Sequence, residues 1–247
     1  MNLMKKLIVI FVVLGLVSCK KENHTFLTNI EIEQGPVKKL MKNINERDLQ
    51  VSQILYIGKE KNRVKIDKPI FEFVDPNSIK HYDSLFQTES YRNYNFFSKK
   101  YKVDINKKLE IINSKNTLLE FDENKGIYLG VNEYDKNSNE YSGKIFYSSF
   151  PIFFKNISRD TLDVQSVNGY LFISLEAKDR KGNWKPINEK PFVCGTGITS
   201  KIVLPPNEII ITSMFHYTGN YKTKFRLKFS DFVSREFDGS INEEQLR

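Results

Sequence analysis

The side chains most often used in nucleophilic catalysis are few in this sequence, which has two cysteines and three histidines among 247 residues. Cys194 and His216 together could supply a thiolate and a base, because a cysteine nucleophile needs a partner that takes its proton. No sequence signature brings the two together. Phe192 and Val193 precede Cys194, which favours a buried, inert thiol, and the pattern around His216 predicts a histidine at the surface or rim of a sheet. We therefore predict that the protein is not an enzyme.

Metal and phosphate sites are not predicted either. Asp135, Asn137, Asn139 and Glu140 have a spacing similar to that of calcium ligands, but the central glycine and terminal glutamate of an EF-hand loop are missing. We expect a solvated loop there. The glycines of Gly195-Thr196-Gly197 lack the strand, helix and lysine of a phosphate-binding loop. No metal and no cofactor is expected.

An aromatic segment between residues 82 and 101 contains the candidate ligand-binding residues Tyr91, Asn93 and Tyr94. Tyrosine and asparagine side chains can stack on a glycan or peptide and hydrogen-bond to it. No tryptophan lies among them, and such clusters also form hydrophobic cores, which is the interpretation that the composition favours. The aromatic members are Tyr82, Phe86, Tyr91, Tyr94, Phe96, Phe97 and Tyr101.

The segment Tyr221–Phe229 alternates strictly between cationic and mostly apolar side chains. A strand places alternate residues on opposite faces, so the pattern predicts a strand with one basic face. That face, formed by Lys222, Lys224, Arg226 and Lys228, is a candidate surface for an acidic partner. The alternative, which we favour from the sequence, is that these charges protect a sheet edge from unwanted strand pairing.

The residues from 144 to 247 show the pattern of an antiparallel β-sandwich. Gly169–Ala177 alternates like a half-buried strand, Asp179–Asn183 supplies turn residues, and Phe237–Ile241 predicts a last strand. Asn156–Asp160 and Thr218–Asn220 have the composition of hairpin turns. Short strands separated by turns at this spacing are typical of sandwiches.

This half of the chain resembles an immunoglobulin-like domain. It is also similar to uncharacterised exported proteins that share a Trp-Lys-Pro-Ile series, here residues 184–187, a Cys-Gly pair, here 194–195, and a Thr-Lys-Phe-Arg-Leu-Lys series, here 223–228. The Cys…Trp…Cys framework of antibody domains is absent, so the resemblance implies only the sandwich architecture. Fold resemblance of this kind does not imply an activity.

The first half, residues 36–131, is predicted to be β-rich with one short helix. Pro36–Asp48 has apolar residues on one helical face and proline at the first position. Asn132–Ser142 reads as an exposed loop or hairpin tip. A second β-rich domain and an elaboration of the sandwich both fit. The predicted strands are 51–57, 63–66, 70–74, 109–112, 118–121 and 127–131.

The formal net charge of the full chain is +8, and it falls to +6 without an N-terminal segment that carries Lys5 and Lys6. The positive charge is spread along the chain and forms no basic block. Recognition of nucleic acid normally needs a concentrated basic stripe. No nucleic-acid partner is therefore expected, whereas attraction to acidic glycans or headgroups is compatible with this charge.

The N-terminus carries the features of an export signal. Lys5 and Lys6 precede the uncharged apolar run Leu7–Val17, which is too short for a membrane span of about 20 residues. The sequence Leu16-Val17-Ser18-Cys19 then resembles the lipobox of bacterial lipoproteins. The resemblance implies cleavage after Ser18 and a diacylglyceryl group on the Cys19 sulfur. Two or more acyl chains give stable membrane anchoring.

Lys20 follows the lipobox cysteine, where the family's inner-membrane retention signal typically has aspartate. We therefore expect a lipid anchor in the outer membrane, with the periplasmic or cell-surface side left open. The predicted organisation is a signal peptide at 1–18, a lipidated tether at 19–35, the β-rich region at 36–131 and the sandwich at 144–247. We expect a non-catalytic binding or assembly module with an envelope protein or a glycan as partner. An exported hydrolase of glycans or peptides is the alternative.

Overall fold

The structure is a computed structural model of the chain, and it describes residues 30–35, 40–41, 52–66, 70–71, 101–135, 140–166, 169–188 and 200–246. These residues form eighteen strands, and a 3-10 helix lies at Glu243–Leu246. The strands are β1 (Glu31–Glu33), β2 (Leu40–Met41), β3 (Tyr56–Lys59), β4 (Arg63–Lys65), β5 (Ile70–Phe71), β6 (Lys102–Asp104), β7 (Glu110–Ile111), β8 (Thr117–Phe121), β9 (Ile127–Asp135), β10 (Glu140–Asn156), β11 (Leu162–Asp163), β12 (Ser174–Lys178), β13 (Trp184–Pro186), β14 (Ser200–Leu204), β15 (Glu208–Phe215), β16 (Tyr221–Phe229), β17 (Phe232–Val233) and β18 (Phe237–Ile241).

The central sheet is organised around β10, a strand of 17 residues. Strands β15 and β2 pair along one of its edges, and β9 and β8 pair along the other. Strand β3 extends the sheet beside β15, and β5 extends it beside β9. All residues from Ile209 to Phe215 in β15 are buried, because the sheet is covered on both faces.

A five-stranded sheet packs against one face of the central sheet. Its order is β13-β12-β16, and both β17 and β18 pair with the remaining edge of β16. The layers meet through phenylalanine rings: the Phe154 and Phe229 centroids are 5.0 Å apart, and those of Phe121 and Phe237 are 5.1 Å apart. Tilted aromatic pairs at such distances contribute beyond their buried area. The predicted mainly β, antiparallel sandwich is confirmed.

The opposite face of the central sheet is covered by the parallel pair β1–β4. A second apolar cluster fills this interface, and its buried members are Ile30, Val64, Ile66, Phe153, Ile209 and Ile211. A four-stranded sheet of order β6-β14-β11-β7 completes the described part of the chain.

Strands from both halves of the sequence belong to the same sheets. Strands β3, β8 and β9, from the region 36–131, pair with β15 or β10. The interval between residues 131 and 144 falls within the β9–β10 hairpin, in which Asp135 and Glu140 are the last paired residues. The sandwich therefore has more strands than the seven or nine of an immunoglobulin domain.

The predicted helix at Pro36–Asp48 is wrong at Leu40 and Met41. These two residues form β2, which pairs in parallel with Phe146 and Tyr147 of β10. The apolar spacing that fits a helical face also fits a short strand beside a long apolar one, and the tertiary pairing decides. The other residues of the predicted helix lie outside the described part of the chain.

Two predicted hairpin turns instead connect different sheets. Asn156–Asp160 connects β10 to β11, and Thr218–Asn220 connects β15 to β16. Strand β10 does not pair with β11, and β15 does not pair with β16, because the two strands of each pair belong to different sheets. The Asn156 side chain, which is fully buried, donates to the Asp160 and Leu204 carbonyls at 2.8 Å each. This side chain fixes the first crossover. At Gly219 the backbone of the second crossover lies against the end of β18, and a Cβ there would lie 1.9 Å from the Ile241 carbonyl carbon.

The strands predicted at Tyr221–Phe229 and Phe237–Ile241 are confirmed as β16 and β18. The predicted turn at Asp179–Asn183 is also confirmed: Asp179 Oδ1 accepts hydrogen bonds from the Lys181 and Asn183 amides, and Gly182 has a φ of +83°. A positive φ at this position favours glycine over other residues.

Candidate functional site

The outer side of β16 carries a row of cations that we call the cationic face, formed by Lys222, Lys224, Arg226 and Lys228. The three lysines are exposed and Arg226 is half-buried, whereas Phe225, Leu227 and Phe229 point into the core. The predicted basic face is confirmed. The edge-protection interpretation is wrong, because β12 flanks β16 on one side and β17 and β18 flank it on the other.

The two inner cations of the row are paired with carboxylates across the sheet. Lys224 lies opposite Asp238, and its Nζ is 2.7 Å from Asp238 Oδ1. Arg226 lies opposite Glu176, and its Nη2 is 2.6 Å from Glu176 Oε2. The strand register thus brings each pair together on one face.

The two outer cations of the row, Lys222 and Lys228, have no ion pair with any residue that the structure describes. Both side chains are exposed to solvent.

Trp184, the single tryptophan, belongs to the same surface. The β12–β13 pairing places it opposite Lys178. The Arg226 Cζ lies 4.3 Å from an indole ring centroid, and Lys178 Nζ lies 4.7 Å from one. Cation–π contacts of this kind orient cations on an aromatic ring. The turn at Asp179–Asn183 predicts that Trp184 returns beside Lys178, but no sequence pattern places either residue beside the basic strand.

A groove of about 690 Å³ lies beside the cationic face, where β12 ends and β16 begins. Thr223 Oγ1 and Tyr221 OH donate hydrogen bonds to the Lys178 carbonyl at 2.6 and 3.2 Å, which joins the end of β12 to the start of β16. The groove therefore contains cations, carboxylates and hydroxyls together. Its lining residues are Lys178, Asp179, Tyr217, Tyr221, Lys222, Thr223, Lys224, Asp238, Gly239 and Ser240.

Tyr217 lines this groove and is 5% exposed. Its hydroxyl is buried and has no hydrogen-bond partner among the residues that the structure describes. Burial raises the pKa of the phenol well above its ordinary value, so the group stays protonated and can donate. Nothing in the sequence pattern singled out this tyrosine.

His216 is a half-buried residue at the rim of the central sheet, as the sequence predicts. Its Nδ1 lies 2.8 Å from Ser148 Oγ, and its Nε2 lies 2.9 Å from the Glu123 carbonyl oxygen. A carbonyl only accepts, so Nε2 donates to it, and in the neutral imidazole Nδ1 accepts from the serine hydroxyl. The imidazole thereby ties the β8–β9 turn to β10. Cys194 lies outside the described residues.

The carboxylate of Glu123 forms an ion pair with Arg235. Arg235 Nη1 donates to Glu123 Oε1 at 2.8 Å, a second hydrogen bond joins Nη2 to Oε2, and the guanidinium Cζ lies 4.5 Å from the Phe121 ring centroid. The hydrogen bonds from Arg235 hold the pKa of Glu123 below its ordinary value of 4.5.

This lowered pKa predicts a loss of stability in acid. A carboxyl whose pKa is depressed by folding stabilises the native state above its unfolded pKa, and that contribution is lost as the pH falls through the folded pKa. We expect the free energy of unfolding of the wild type to fall more steeply below about pH 4.5 than that of Glu123→Gln. Urea titrations between pH 6 and pH 3 measure both. Arg235→Met should flatten the curve in the same way, and parallel curves for wild type and Glu123→Gln would contradict the prediction.

The other predicted site residues divide into two groups. Among the aromatic cluster, Tyr101 is buried in the main core, which agrees with the core interpretation for that residue. Several of the remaining candidates lie outside the described part of the chain; these are Cys19, Tyr91, Asn93, Tyr94 and Gly195–Gly197.

Within the described ranges, no three histidine, cysteine, aspartate or glutamate side chains come together as metal ligands. The same residues contain no apolar helix of membrane-spanning length.

The chain was compared with protein-family models, with curated proteins and with solved structures. No family model matches it, and neither a curated protein nor a solved structure matches it. The geometry of the cationic face and its groove is therefore the basis for assigning a function.

Proposed function

We propose that this protein is a lipid-anchored, non-catalytic binding module of the bacterial outer membrane, and that its cationic face binds an acidic glycan. The observation that carries the binding proposal is the row of four cations on an interior strand. The Leu16-Val17-Ser18-Cys19 segment supports the anchor, because an acylated Cys19 holds the folded body at a membrane surface.

The dimensions of the row suit an extended polyanion. Residues on one face of a strand recur at about 6.8 Å, so the ammonium groups from Lys222 to Lys228 follow a line about 20 Å long. Arg226 is fixed by Glu176 and Trp184, which reduces the side-chain entropy that binding would remove. Cations arranged in a line steer and orient a charged chain.

Acceptor side chains beside the row favour a glycan over an acidic peptide. Ser240 lies opposite Lys222 in register, on the same face of the sheet, and its hydroxyl oxygen can accept from a sugar hydroxyl. Asp179 and Asp238 add further acceptors at the groove. A polyhydroxylated ligand uses both kinds of group, whereas a simple anion uses only the cations.

We expect the double replacement of Lys222 and Lys228 with methionine to weaken binding of polygalacturonate about three- to tenfold, because exposed ion pairs each contribute up to about 1 kcal/mol. Binding of the mature chain in non-ionic detergent is measured against salt concentration, and the salt dependence should also become shallower. The matched control replaces two exposed lysines, one just before β4 and one at its end, with Lys61→Met and Lys65→Met, and should change binding little.

Binding of two further polymers, carboxyl-reduced polygalacturonate and polyglutamate, is measured in the same way. The proposal expects weak binding to the reduced, neutral chain and weaker binding to polyglutamate than to polygalacturonate. Equal binding of the reduced chain, or an equal effect of the Lys61 and Lys65 replacements, would contradict recognition by the cationic face. Preference for polyglutamate would indicate an acidic protein partner instead.

An exported hydrolase acting on glycans or peptides is the second candidate, and the Ser148–His216 hydrogen bond is the observation that favours it. A serine nucleophile needs such a base, and the base needs an orienting group, which the Glu123 carbonyl would supply at Nε2. The binding module remains the first candidate because the same two hydrogen bonds are explained by attachment of the β8–β9 turn to β10. Hydrolysis that disappears in Ser148→Ala would support the enzyme.

A further inference from the structure

We propose that the lipid anchor presents the cationic face away from the bilayer, so that this face takes its acidic glycan from outside the anchoring membrane and does not bind the headgroups of that membrane. This inference rests on the proposed function, since it needs both the acylated Cys19 and the glycan-binding face. The observation that carries it is the side of the sandwich on which the chain from Cys19 enters the folded body, at Ile30.

The segment from Ile30 to Gln34 is attached to the body at both ends. The Ile30 side chain is 2% exposed, and its carbonyl accepts a hydrogen bond from Lys125 Nζ. The Gln34 side chain bonds to both backbone groups of Tyr128 in β9: Nε2 donates to the carbonyl at 2.9 Å, and Oε1 accepts from the amide at 2.7 Å. Between these two residues, β1 pairs with β4. The point at which the chain enters is therefore fixed relative to the central sheet.

Ile30 and the cationic face lie on opposite sides of the central sheet. Consecutive residues of a strand point to opposite faces, and Phe153 and Phe154 are consecutive in β10. Phe153 is buried in the same apolar cluster as Ile30. Phe154 instead packs on Phe229 of β16, with the ring centroids 5.0 Å apart. The cations of β16 alternate with its buried residues and point outward from this second side.

The thickness of the sandwich separates the two sides. Packed sheets lie about 10 Å apart, so the backbone of β16 lies about 20 Å from that of β1, with the central sheet between them. The chain from Cys19 to Ile30 has about 11 residues and spans at most about 40 Å when fully extended. Contact of the cationic face with the bilayer would require this chain to be drawn out around the side of the body, which removes conformational entropy. An orientation with the β1–β4 side nearest to the bilayer requires no such extension.

Electrostatic attraction to the anchoring membrane does not reverse this orientation. The Debye length at physiological salt is about 8 Å, and attraction between exposed charges is largely screened beyond that distance. The cations of β16 lie about 20 Å farther from the bilayer than the β1–β4 side does. These cations are therefore screened from the headgroups and remain accessible to an acidic glycan that approaches from the opposite direction.

Energy transfer from a labelled cysteine to a fluorescent lipid measures the orientation. The donor is attached at Lys65→Cys in β4 or at Lys228→Cys in β16, in a chain that also carries Cys194→Ala, so that the acylated Cys19 is the one native cysteine left. The lipidated proteins are reconstituted in phosphatidylcholine vesicles with and without phosphatidylglycerol. We expect stronger transfer from the donor on β4 in both kinds of vesicle, because it lies about 20 Å nearer to the bilayer.

Equal transfer from the two positions, or stronger transfer from the donor on β16, would overturn the inference. A reversal confined to the vesicles with phosphatidylglycerol would show that the cationic face binds headgroups, and it would overturn the inference as well. Lys61→Cys repeats the measurement just before β4 and should give the same order as Lys65→Cys.

Polygalacturonate binding by the Cys19→Ala chain tests the proposed function separately, because this chain carries no anchor to orient it. We expect vesicle-bound wild type and the Cys19→Ala chain to bind the polysaccharide with equal affinity. Binding by the Cys19→Ala chain together with reversed energy transfer removes only the orientation, whereas absence of binding by that chain contradicts the proposed function and with it the inference.

Discussion

Replacing Gly219 with alanine is expected to destabilise the protein by about 3 kcal/mol, at the upper end of the usual cost of overpacking. A Cβ at this position would lie 1.9 Å from the Ile241 carbonyl carbon and 2.2 Å from the Asn242 nitrogen. These neighbours are backbone atoms at the end of β18, so relief requires a shift of the chain. The crossover from β15 to β16 would then move away from β18, the strand that pairs with the first residues of β16.

Denaturant unfolding of the wild type and the variant measures this cost. Gly126→Ala is the matched control, because a Cβ at Gly126 meets no atom within 4 Å. The control should unfold within about 0.5 kcal/mol of the wild type, as most surface substitutions do. Equal stability of the Gly219 and Gly126 variants would contradict the packing of the crossover against β18.

Replacing Cys19 with alanine is expected to move nearly all of the protein out of the membrane fraction. Each buried methylene of an acyl chain contributes about 0.8 kcal/mol to membrane binding, and two or more chains make the attachment stable. Fractionation followed by detection of the protein measures the change.

Cys194→Ala is the control for this experiment, because it removes the other cysteine of the sequence and leaves the lipobox unchanged. The control should stay with the membrane. Continued membrane association of the Cys19 variant would contradict the lipid anchor, and loss of both variants from the membrane would assign the effect to folding.

The sequence predicted best those elements that are determined by residues close together in the chain. The strict alternation from Tyr221 to Phe229 is sufficient to predict β16, because a strand with one buried face has apolar side chains at every second residue. The turn at Asp179–Asn183 was likewise predictable, since the aspartate and the glycine at a positive φ form it alone. The basic face of the candidate site follows directly from the β16 pattern.

The features that the sequence did not predict depend on pairing between distant segments. Asn156–Asp160 and Thr218–Asn220 have turn composition, yet composition does not show whether the next strand returns to the same sheet. The two-residue strand Leu40–Met41 is defined by its backbone pairing with β10, which lies more than 100 residues later in the chain.

The candidate site was predictable in part for the same reason. Its charges come from one strand and were identified. Trp184 and Asp238 reach the same surface from two other segments, and their spacing along the sequence does not indicate this. The central position of β16, which excludes edge protection, also follows only from the pairing with β12 and β18.

Lysine labelling of the wild-type chain in the presence of polygalacturonate tests binding at the cationic face most directly. Acetylation is read by mass spectrometry with and without the polysaccharide. We expect protection of Lys222, Lys224 and Lys228, while Lys61 and Lys65, which lie just before β4 and at its end, react at unchanged rates. Uniform labelling at all of these lysines, or protection confined to Lys61 and Lys65, would contradict the account.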